Sequence, residues 1–198
     1  SVLLLLAIVL STMMTAAIGQ SAGILSAMRQ QQAIAIGGDR HAGLVQMDRE
    51  QLAALQSDPR LSFAGSYVVL GSMRLDNTLL LGLSEFQEDV SAIYPSISAI
   101  KEGRLPQAPM EVALPEDVLE YLGFTGSLGE TVSLPLSKAL RHGVMTQSHN
   151  FTADVTLVGI TRSNYMGYTA GTVNGIVGPG TAEALLPEEY FYYNVDIR

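Results

Sequence analysis

The chain has 198 residues and a formal net charge of -8, and it contains no cysteine. The missing cysteines exclude disulfides, thiolate metal sites and cysteine nucleophiles. The acidic balance argues against nucleic acid as a partner, because its phosphates would be repelled, and the chain has no basic stripe for anionic lipid. The mean hydropathy of +0.26 is raised by the first segment, and the remainder is long enough for one medium domain or two small ones.

The first segment, residues 2–28, contains no Asp, Glu, Lys or Arg, and the first charged residue is Arg29. As a helix, residues 2–19 alone cover roughly 27 Å, close to the hydrocarbon thickness of a bilayer. Residues 3–10 leave no polar face, as expected of a helix surrounded by lipid. The sequence therefore predicts a membrane helix. The alternatives are a secretory signal peptide, cleaved near Thr15, and a buried core helix.

Helical spacing continues beyond the apolar run, where Ile18, Leu25 and Met28 lie on one side and Gln20, Arg29 and Gln30 on the other. This pattern predicts an amphipathic stalk that ends near Gly37 and Gly38. We assign residues 1–38 to a transmembrane and stalk helix and residues 39–198 to a domain outside the membrane. Because the first residue is not Met, we expect the chain to be part of a longer protein.

Residues 41–87 predict a strand, a helix and a β-hairpin. The strand covers residues 41–46, and Asp48 with Gln51 three residues on has the spacing of a capping box. The helix that follows ends at Pro59. Two β-forming runs, residues 63–75 and 78–83, flank Asp76-Asn77, whose side chains tolerate the positive φ of a tight turn.

The next part of the chain predicts two connections and a strand pair. Residues 84–98 are expected to be a helix or irregular connection with Glu85, Glu88 and Asp89 on a solvated side. Residues 111–114 predict a strand, after which Pro115 opens a short helix that Gly123 ends. A strand opening at residues 129–134 should pair with residues 151–160, which alternate apolar and polar. The polar residues 138–150 between them predict a long, mobile hairpin loop.

The final part of the chain predicts surface loops over residues 161–180 around a short strand at residues 174–177, and then a helix over residues 181–186. Residues 190–197 alternate, which predicts a strand with one apolar and one polar face. The apolar face carries Phe191, Tyr193, Val195 and Ile197, and the polar face carries Tyr192, Asn194 and Asp196. Together the elements indicate an α+β fold rather than alternating βαβ units.

Candidate metal ligands are few. The three histidines, His41, His142 and His149, lie in different segments without the spacing of a zinc motif. His142 and His149 share the predicted loop, which leaves a weak metal site as an alternative to a solvated loop. We expect no metal, cofactor or catalytic residues.

Other candidate sites have simpler structural explanations. The acid pairs Glu116-Asp117 and Glu188-Glu189 fit helix starts or turns better than a general acid and base. Residues 175–180, GIVGPG, lack the glycine spacing of a dinucleotide loop and indicate a turn. Asn150-Phe-Thr152 matches a glycosylation acceptor by chance. The aromatic residues 190–193 are either half core or a contact surface.

The order of these elements and four short sequences carry a resemblance to a known family. The sequences are GRLP, EVALPEDVLEYLG, GETVSL and FTADVTLVGI. The chain resembles the extracytoplasmic core domain of FtsX-like, MacB-type ABC-transporter permeases, particularly those of Gram-positive bacteria. In that family a phrase of the type G-R-x-P, E-(I/V)-(A/V)-(L/V), L-G and G-(D/E)-T-(V/I) follows the first membrane helix. Here the phrase is carried by Gly103, Arg104, Pro106, residues 111–114, Leu122, Gly123 and residues 129–132. We expect Arg104 to be structural, bonding backbone carbonyls at a turn.

The resemblance implies a two-part α+β domain held outside the cell membrane. We assign residues 39–98 and 175–198 to one subdomain and residues 99–174 to an inserted β-rich subdomain. The implied partners are the membrane, a separate ATPase subunit, a second permease half or homodimer partner, and a peptide, lipid or lipoprotein substrate. The implied function is coupling of ATP hydrolysis to movement of the domain, in efflux, in lipoprotein or peptide handling, or in signalling. The alternatives are a signal-anchored extracytoplasmic binding protein and a membrane-anchored hydrolase.

Overall fold

The structure is a computed structural model that describes residues 27–29, 31, 42–87, 94–163 and 165–198. The predicted membrane and stalk helix lies outside these residues, except for residues 27–29 and 31, which are helical. Among the described residues, no helix is both long and apolar enough to cross a bilayer.

From residue 42 onward, the described residues form nine strands, five α-helices and one 3-10 helix. The strands are β1 (Ala42–Met47), β2 (Ala64–Arg74), β3 (Leu80–Phe86), β4 (Ile100–Gly103), β5 (Glu111–Pro115), β6 (Thr131–His142), β7 (Met145–Thr161), β8 (Thr172–Val177) and β9 (Tyr193–Ile197). The helices are α1 (Arg49–Gln56), α2 (Pro95–Ser98), α3 (Glu116–Tyr121), α4 (Tyr165–Ala170) and α5 (Thr181–Leu185), and the 3-10 helix is Glu188–Tyr190. This is the mixed α+β class that the sequence predicts.

The strands belong to one mixed sheet in the order β1-β9-β2-β3-β8-β5-β7-β4, and β6 pairs with both β2 and β7. The pairs β3–β8 and β5–β7 are parallel, and the other pairs are antiparallel. Because β6 joins the two ends of the path from β2 to β7, six strands close a ring. Strands from both predicted subdomains lie in this sheet, and the division into two subdomains stays a prediction.

The core fills the inside of this ring. Alternate residues of each ring strand point inward, as the two-residue period of a strand requires. The inward side chains include Val68, Leu70, Leu81, Leu83, Val112, Leu114, Leu134, Ala153, Val155 and Leu157, each less than 2% exposed. Helix α1 lies outside the ring against β2 and β9, and its Leu52 is buried as the spacing predicts.

The first elements of the domain follow local sequence signals. Asp48 accepts a hydrogen bond from the Gln51 amide at 2.8 Å, and the Gln51 side chain accepts one from the Asp48 amide at 3.0 Å, so the predicted capping box is confirmed. The predicted hairpin is also confirmed as β2–β3. Its turn, however, contains no residue with positive φ. Instead, the Asp76 carboxylate accepts from the Thr78 and Leu79 amides at 2.7 and 2.8 Å.

The prediction of a mobile loop over residues 138–150 is wrong. Strands β6 and β7 pair without interruption as far as His142 and Met145, and only Gly143 and Val144 connect them. Gly143 has φ +60°, and a glycine in the first position of a two-residue turn is typical of type II′ hairpins. The polar composition reflects strand faces that are mostly exposed near the hairpin tip, not a loop.

Three expectations for the later parts of the chain need correction. Glu85 is 4% exposed rather than solvated, and its carboxylate accepts from the Gly180 and Ala182 amides at 3.0 and 2.7 Å. Residues 161–180 contain helix α4 and a strand that already begins at Thr172. In the last strand, Asp196 is buried although the alternation placed it on the polar face.

Candidate functional site

The resemblance phrase begins at a turn that an ion pair closes; we call residues 103–111 the GRLP turn. Arg104 donates to both carboxylate oxygens of Glu111, at 2.8 and 2.5 Å, and to the Leu105 carbonyl at 3.1 Å. The Glu111 carboxylate also accepts from the Gln107 and Ala108 amides. These bonds, that of Arg104 first, lower the pKa of Glu111 to about 2. The expected bond from Arg104 to a backbone carbonyl is confirmed, and the pair with Glu111 is additional.

The separate pieces of the phrase meet on one short stretch of β7, residues 156–160. The Arg104 amide donates to the Val158 carbonyl at 3.0 Å, and Gly103 pairs with Gly159. The Gly129 amide donates to the Leu157 carbonyl at 2.7 Å, and β5 pairs with the same stretch on its other edge.

Two glycines let these backbones approach. A Cβ on Gly103, which has φ +75°, would collide with the Val158 carbonyl, and a Cβ on Gly159 would collide with the Arg104 carbonyl. The spacing of the phrase is therefore a requirement of packing.

A second unusual region lies where β6 and β9 diverge from β2; we call it the β6–β9 gap. Strand β9 pairs with β2 at residues 64–67, and β6 pairs with β2 at Ser72. Between these points three side chains cross to backbone carbonyls. Lys138 donates to Val69, Tyr192 donates to Ala139 at 2.7 Å, and Gln46 donates to Arg141 at 3.2 Å. Side chains thus satisfy carbonyls that a neighbouring strand would satisfy in a continuous sheet.

Lys138 is the most unusual side chain in the β6–β9 gap. It is 2% exposed and occupies an inward position of β6 between Leu136 and Leu140. Its ammonium nitrogen lies 3.8 Å from the centre of the Tyr192 ring, in cation–π geometry. No carboxylate of the described residues forms an ion pair with it. Burial lowers the pKa of the Lys138 amine to about 8 and raises the pKa of the Tyr192 hydroxyl.

The β6–β9 gap forms a groove of about 450 Å³. Its described lining includes two cationic side chains, Lys138 and Arg141, and no acidic one, although the whole chain carries a net charge of -8. Val45, which is 68% exposed, supplies an apolar wall. The remaining lining consists of Gln46, Val69, Gly71, Ser72, Ser137, Ala139, Thr146, Tyr192 and Asn194. The groove therefore offers positive charge, hydrogen-bonding groups and one apolar surface.

The strand register keeps His142 and His149 apart. His41 lies outside the described residues. The strand register places His142 opposite Met145, and His149 lies four positions further along β7, opposite Lys138. The His149 ring instead stacks with Phe151 and contacts Tyr190. In the part of the chain that the structure describes, no three acidic or histidine side chains are placed to hold a metal ion.

The other predicted candidates take structural positions. Glu116 at the start of α3 pairs with Lys101, and Glu188-Glu189 open the 3-10 helix. Residues 175–180 end β8 and form the turn before α5, whose first amides bind the Glu85 carboxylate. Asn150 is exposed on β7.

The aromatic residues 190–193 divide between core and groove. Tyr190 and Tyr193 are each 9% exposed, whereas Tyr192 lines the β6–β9 gap.

Sequence reasoning missed Lys138, although a signal was available. Val132, Leu134, Leu136 and Leu140 are inward residues of β6 with a period of two, and Lys138 stands on the same series. Extending this alternation beyond residue 134 would have placed one lysine in an otherwise apolar row. A cation at such a position is unusual, because lysine is almost never fully buried without a partner.

Comparisons with known proteins give matches among solved structures. Neither the known protein families nor the curated proteins match the chain. The chain is similar to the extracellular domain of the noncanonical ABC-type transporter YknZ from Gram-positive bacteria, with 11% identity, a TM-score of 0.49, and 77% of this chain and 73% of that chain covered. It is also similar to a domain of a Porphyromonas gingivalis protein described as a permease, with 12% identity, a TM-score of 0.36, and 80% of this chain and 63% of that chain covered.

Proposed function

We propose that this chain is the first membrane helix and the extracytoplasmic domain of an ABC-transporter permease subunit of the FtsX/MacB type. The observation that carries the proposal is the convergence of the resemblance phrase on residues 156–160. Gly103 and Arg104 from one piece of the phrase and Gly129 from another all bond or pair with this stretch. The segments that carry the resemblance therefore belong to one structural unit of the fold. The uncharged residues 2–28 supply the membrane segment that such a subunit requires.

In this proposal the chain itself is not an enzyme. A separate ATPase subunit hydrolyses ATP, and its closure, together with that of a second permease half, shifts the stalk helix. The domain at the end of the stalk then changes its orientation toward a peptide, lipid or lipoprotein outside the cell. Gly37 and Gly38 are the proposed hinge between the stalk and the domain.

The test uses the full-length protein in its native membrane with its ATPase partner. The double variant Gly37→Ala, Gly38→Ala should reduce transport or resistance while ATP hydrolysis continues, because the stiffened junction no longer reorients the domain. A complementary variant, Ala33→Gly with Ala35→Gly, softens the stalk before the glycines and should also weaken coupling. Unchanged transport or resistance in the Gly37→Ala, Gly38→Ala variant would contradict the hinge.

A separate measurement tests the class of protein. Co-purification of the detergent-solubilised full-length protein with an ATPase supports the permease. A full-length product with a single membrane segment and no associated ATPase would favour the signal-anchored binding protein instead.

A further inference from the structure

We propose that the β6–β9 gap binds an extended acidic peptide segment, which adds as a short strand to the free edge of β6 at Ala139 and Arg141. This inference goes beyond the proposed function and does not depend on it. It rests on the backbone of β6, on the charge of the groove and on the bonds that now cross it.

The edge of β6 that faces the gap has backbone groups without a neighbouring strand. In an antiparallel hairpin closed by His142 and Met145, alternate residues bond to the partner strand and the others point away from it. The Ala139 and Arg141 carbonyls accept bonds from across the gap, so these two residues are the ones that point away from β7. Strand β2 covers this edge only at Ser137. Two residues of β6 therefore present an unpaired strand edge to the groove.

The bonds that now occupy this edge can be exchanged. The Tyr192 hydroxyl and the Gln46 amide are side-chain ends that an incoming strand can displace, although Tyr192 then also gives up its ring contact with Lys138. Amides of an added strand would replace them on the same carbonyls, as in other cases of strand addition. Because bonds are exchanged rather than created, the affinity should be modest, in the micromolar range.

The charge of the groove selects the occupant. Lys138 and Arg141 line it and no described acidic side chain does, in a chain of net charge -8. A peptide carboxylate near Arg141 forms an ion pair, and one near the ammonium of Lys138 supplies the counter-charge that this buried group lacks among the described residues. Because Lys138 and Arg141 are three residues apart, they lie on opposite faces of β6, and Val45 adds an apolar wall, so a peptide that contains both acidic and apolar residues fits best.

The experiment measures binding of two labelled hexapeptides to the whole chain in detergent micelles by fluorescence anisotropy. One peptide alternates valine and glutamate, and the other alternates valine and lysine. We expect the acidic peptide to bind and the basic one not to bind. Arg141→Gln should weaken binding roughly fivefold, as for loss of a partly exposed ion pair. The matched control Arg162→Gln removes the same charge from an exposed position outside the groove and should leave binding unchanged.

Two further readouts distinguish strand addition from charge attraction. Backbone amide exchange should slow at Ala139 and Arg141 when the acidic peptide binds, and not at Leu140, which already faces β7. An acidic peptide with proline at its centre should bind more weakly, because it loses one donor. No binding, equal binding of acidic and basic peptides, or protection confined to the outer edge of β1 would overturn the proposal.

Discussion

The GRLP turn and the β6–β9 gap satisfy their backbone groups in opposite ways. In the GRLP turn, amides and carbonyls bond to neighbouring strands, and the bidentate Arg104–Glu111 pair closes the loop. In the gap, three carbonyls depend on the ends of side chains. A turn closed by strands is fixed in one arrangement, whereas side-chain ends can be displaced. The resemblance phrase therefore has a structural role. The binding role that we propose belongs to the β6–β9 gap, which the phrase does not include.

The largest expected effect comes from disrupting the packing of the GRLP turn against β7. Gly159→Ala should lower the free energy of unfolding by about 3 kcal/mol, because the new Cβ overlaps the Arg104 carbonyl and forces two strands apart. The control Gly123→Ala places a methyl group in open space at φ +62° and should cost about 1 kcal/mol from backbone strain alone. Urea denaturation measures both. Equal costs would show that β4 and β7 are not held tightly together.

The second effect concerns the buried amine in the gap. The folded pKa of Lys138, about 8, lies below the ordinary value of 10.5. Between these values the unfolded chain binds more protons, so raising the pH stabilises the folded state. Relative to Lys138→Met, the wild-type free energy of unfolding should rise by on the order of 3 kcal/mol between about pH 8 and pH 10.5.

Both proteins are denatured at several pH values in this range, and the difference between their free energies of unfolding is plotted against pH. Taking the difference from the Lys138→Met variant removes the contribution of tyrosine titration, because both proteins contain the same tyrosines. A difference that stays constant with pH would mean that the Val69 carbonyl and the Tyr192 ring fully compensate the burial of the charge.

A third, smaller effect tests the ion pair of the GRLP turn. The pKa of Glu111 is lowered from 4.5 to about 2, so its stabilisation is present above pH 4.5 and is lost as the pH falls toward 2. Because Arg104 is 47% exposed and solvent screens the pair, Glu111→Gln should cost only about 1–2 kcal/mol at pH 7. Thermal unfolding at several pH values should show this difference vanish in acid.

Glu116→Gln is the matched control for that prediction. Its pair with Lys101 has both side chains well exposed, and its loss should change stability by less than about 0.5 kcal/mol. Equal costs for the two carboxylates would contradict the structural role of the Arg104–Glu111 pair.

Structural features whose interacting residues lie close together in the sequence were predictable, whereas features whose interacting residues lie far apart were missed. The capping box at Asp48 and the β2–β3 hairpin depend on residues a few positions apart, and both were predictable. The buried Glu85 bonds to amides 95 and 97 residues away, and Lys138 bonds to a carbonyl 69 residues away. Nothing local marks Glu85 as buried, whereas Lys138 continues the apolar alternation of β6. The paired strands around Gly143 were missed because their polar residues resemble a loop, and cross-strand pairing sets their conformation.

The smallest expected effect concerns one of the side-chain bonds that cross the β6–β9 gap. Tyr192→Phe removes the hydroxyl that bonds to Ala139 and should lower the free energy of unfolding by about 0.5–1.5 kcal/mol. Urea denaturation of the wild-type and variant proteins measures this difference. Unchanged stability would show that the bond from Tyr192 to Ala139 contributes nothing to holding the gap.

The most direct test of the proposed function determines on which side of the membrane the domain lies. The chain has no cysteine, and Val144 at the β6–β7 turn is fully exposed, so Val144→Cys introduces one accessible thiol; any cysteine elsewhere in the full-length protein is first replaced by serine. Cells stripped of their outer envelope are treated with a membrane-impermeant maleimide before or after lysis. We predict the same labelling before and after lysis, whereas labelling only after lysis would place the domain inside the cell and contradict the proposed function.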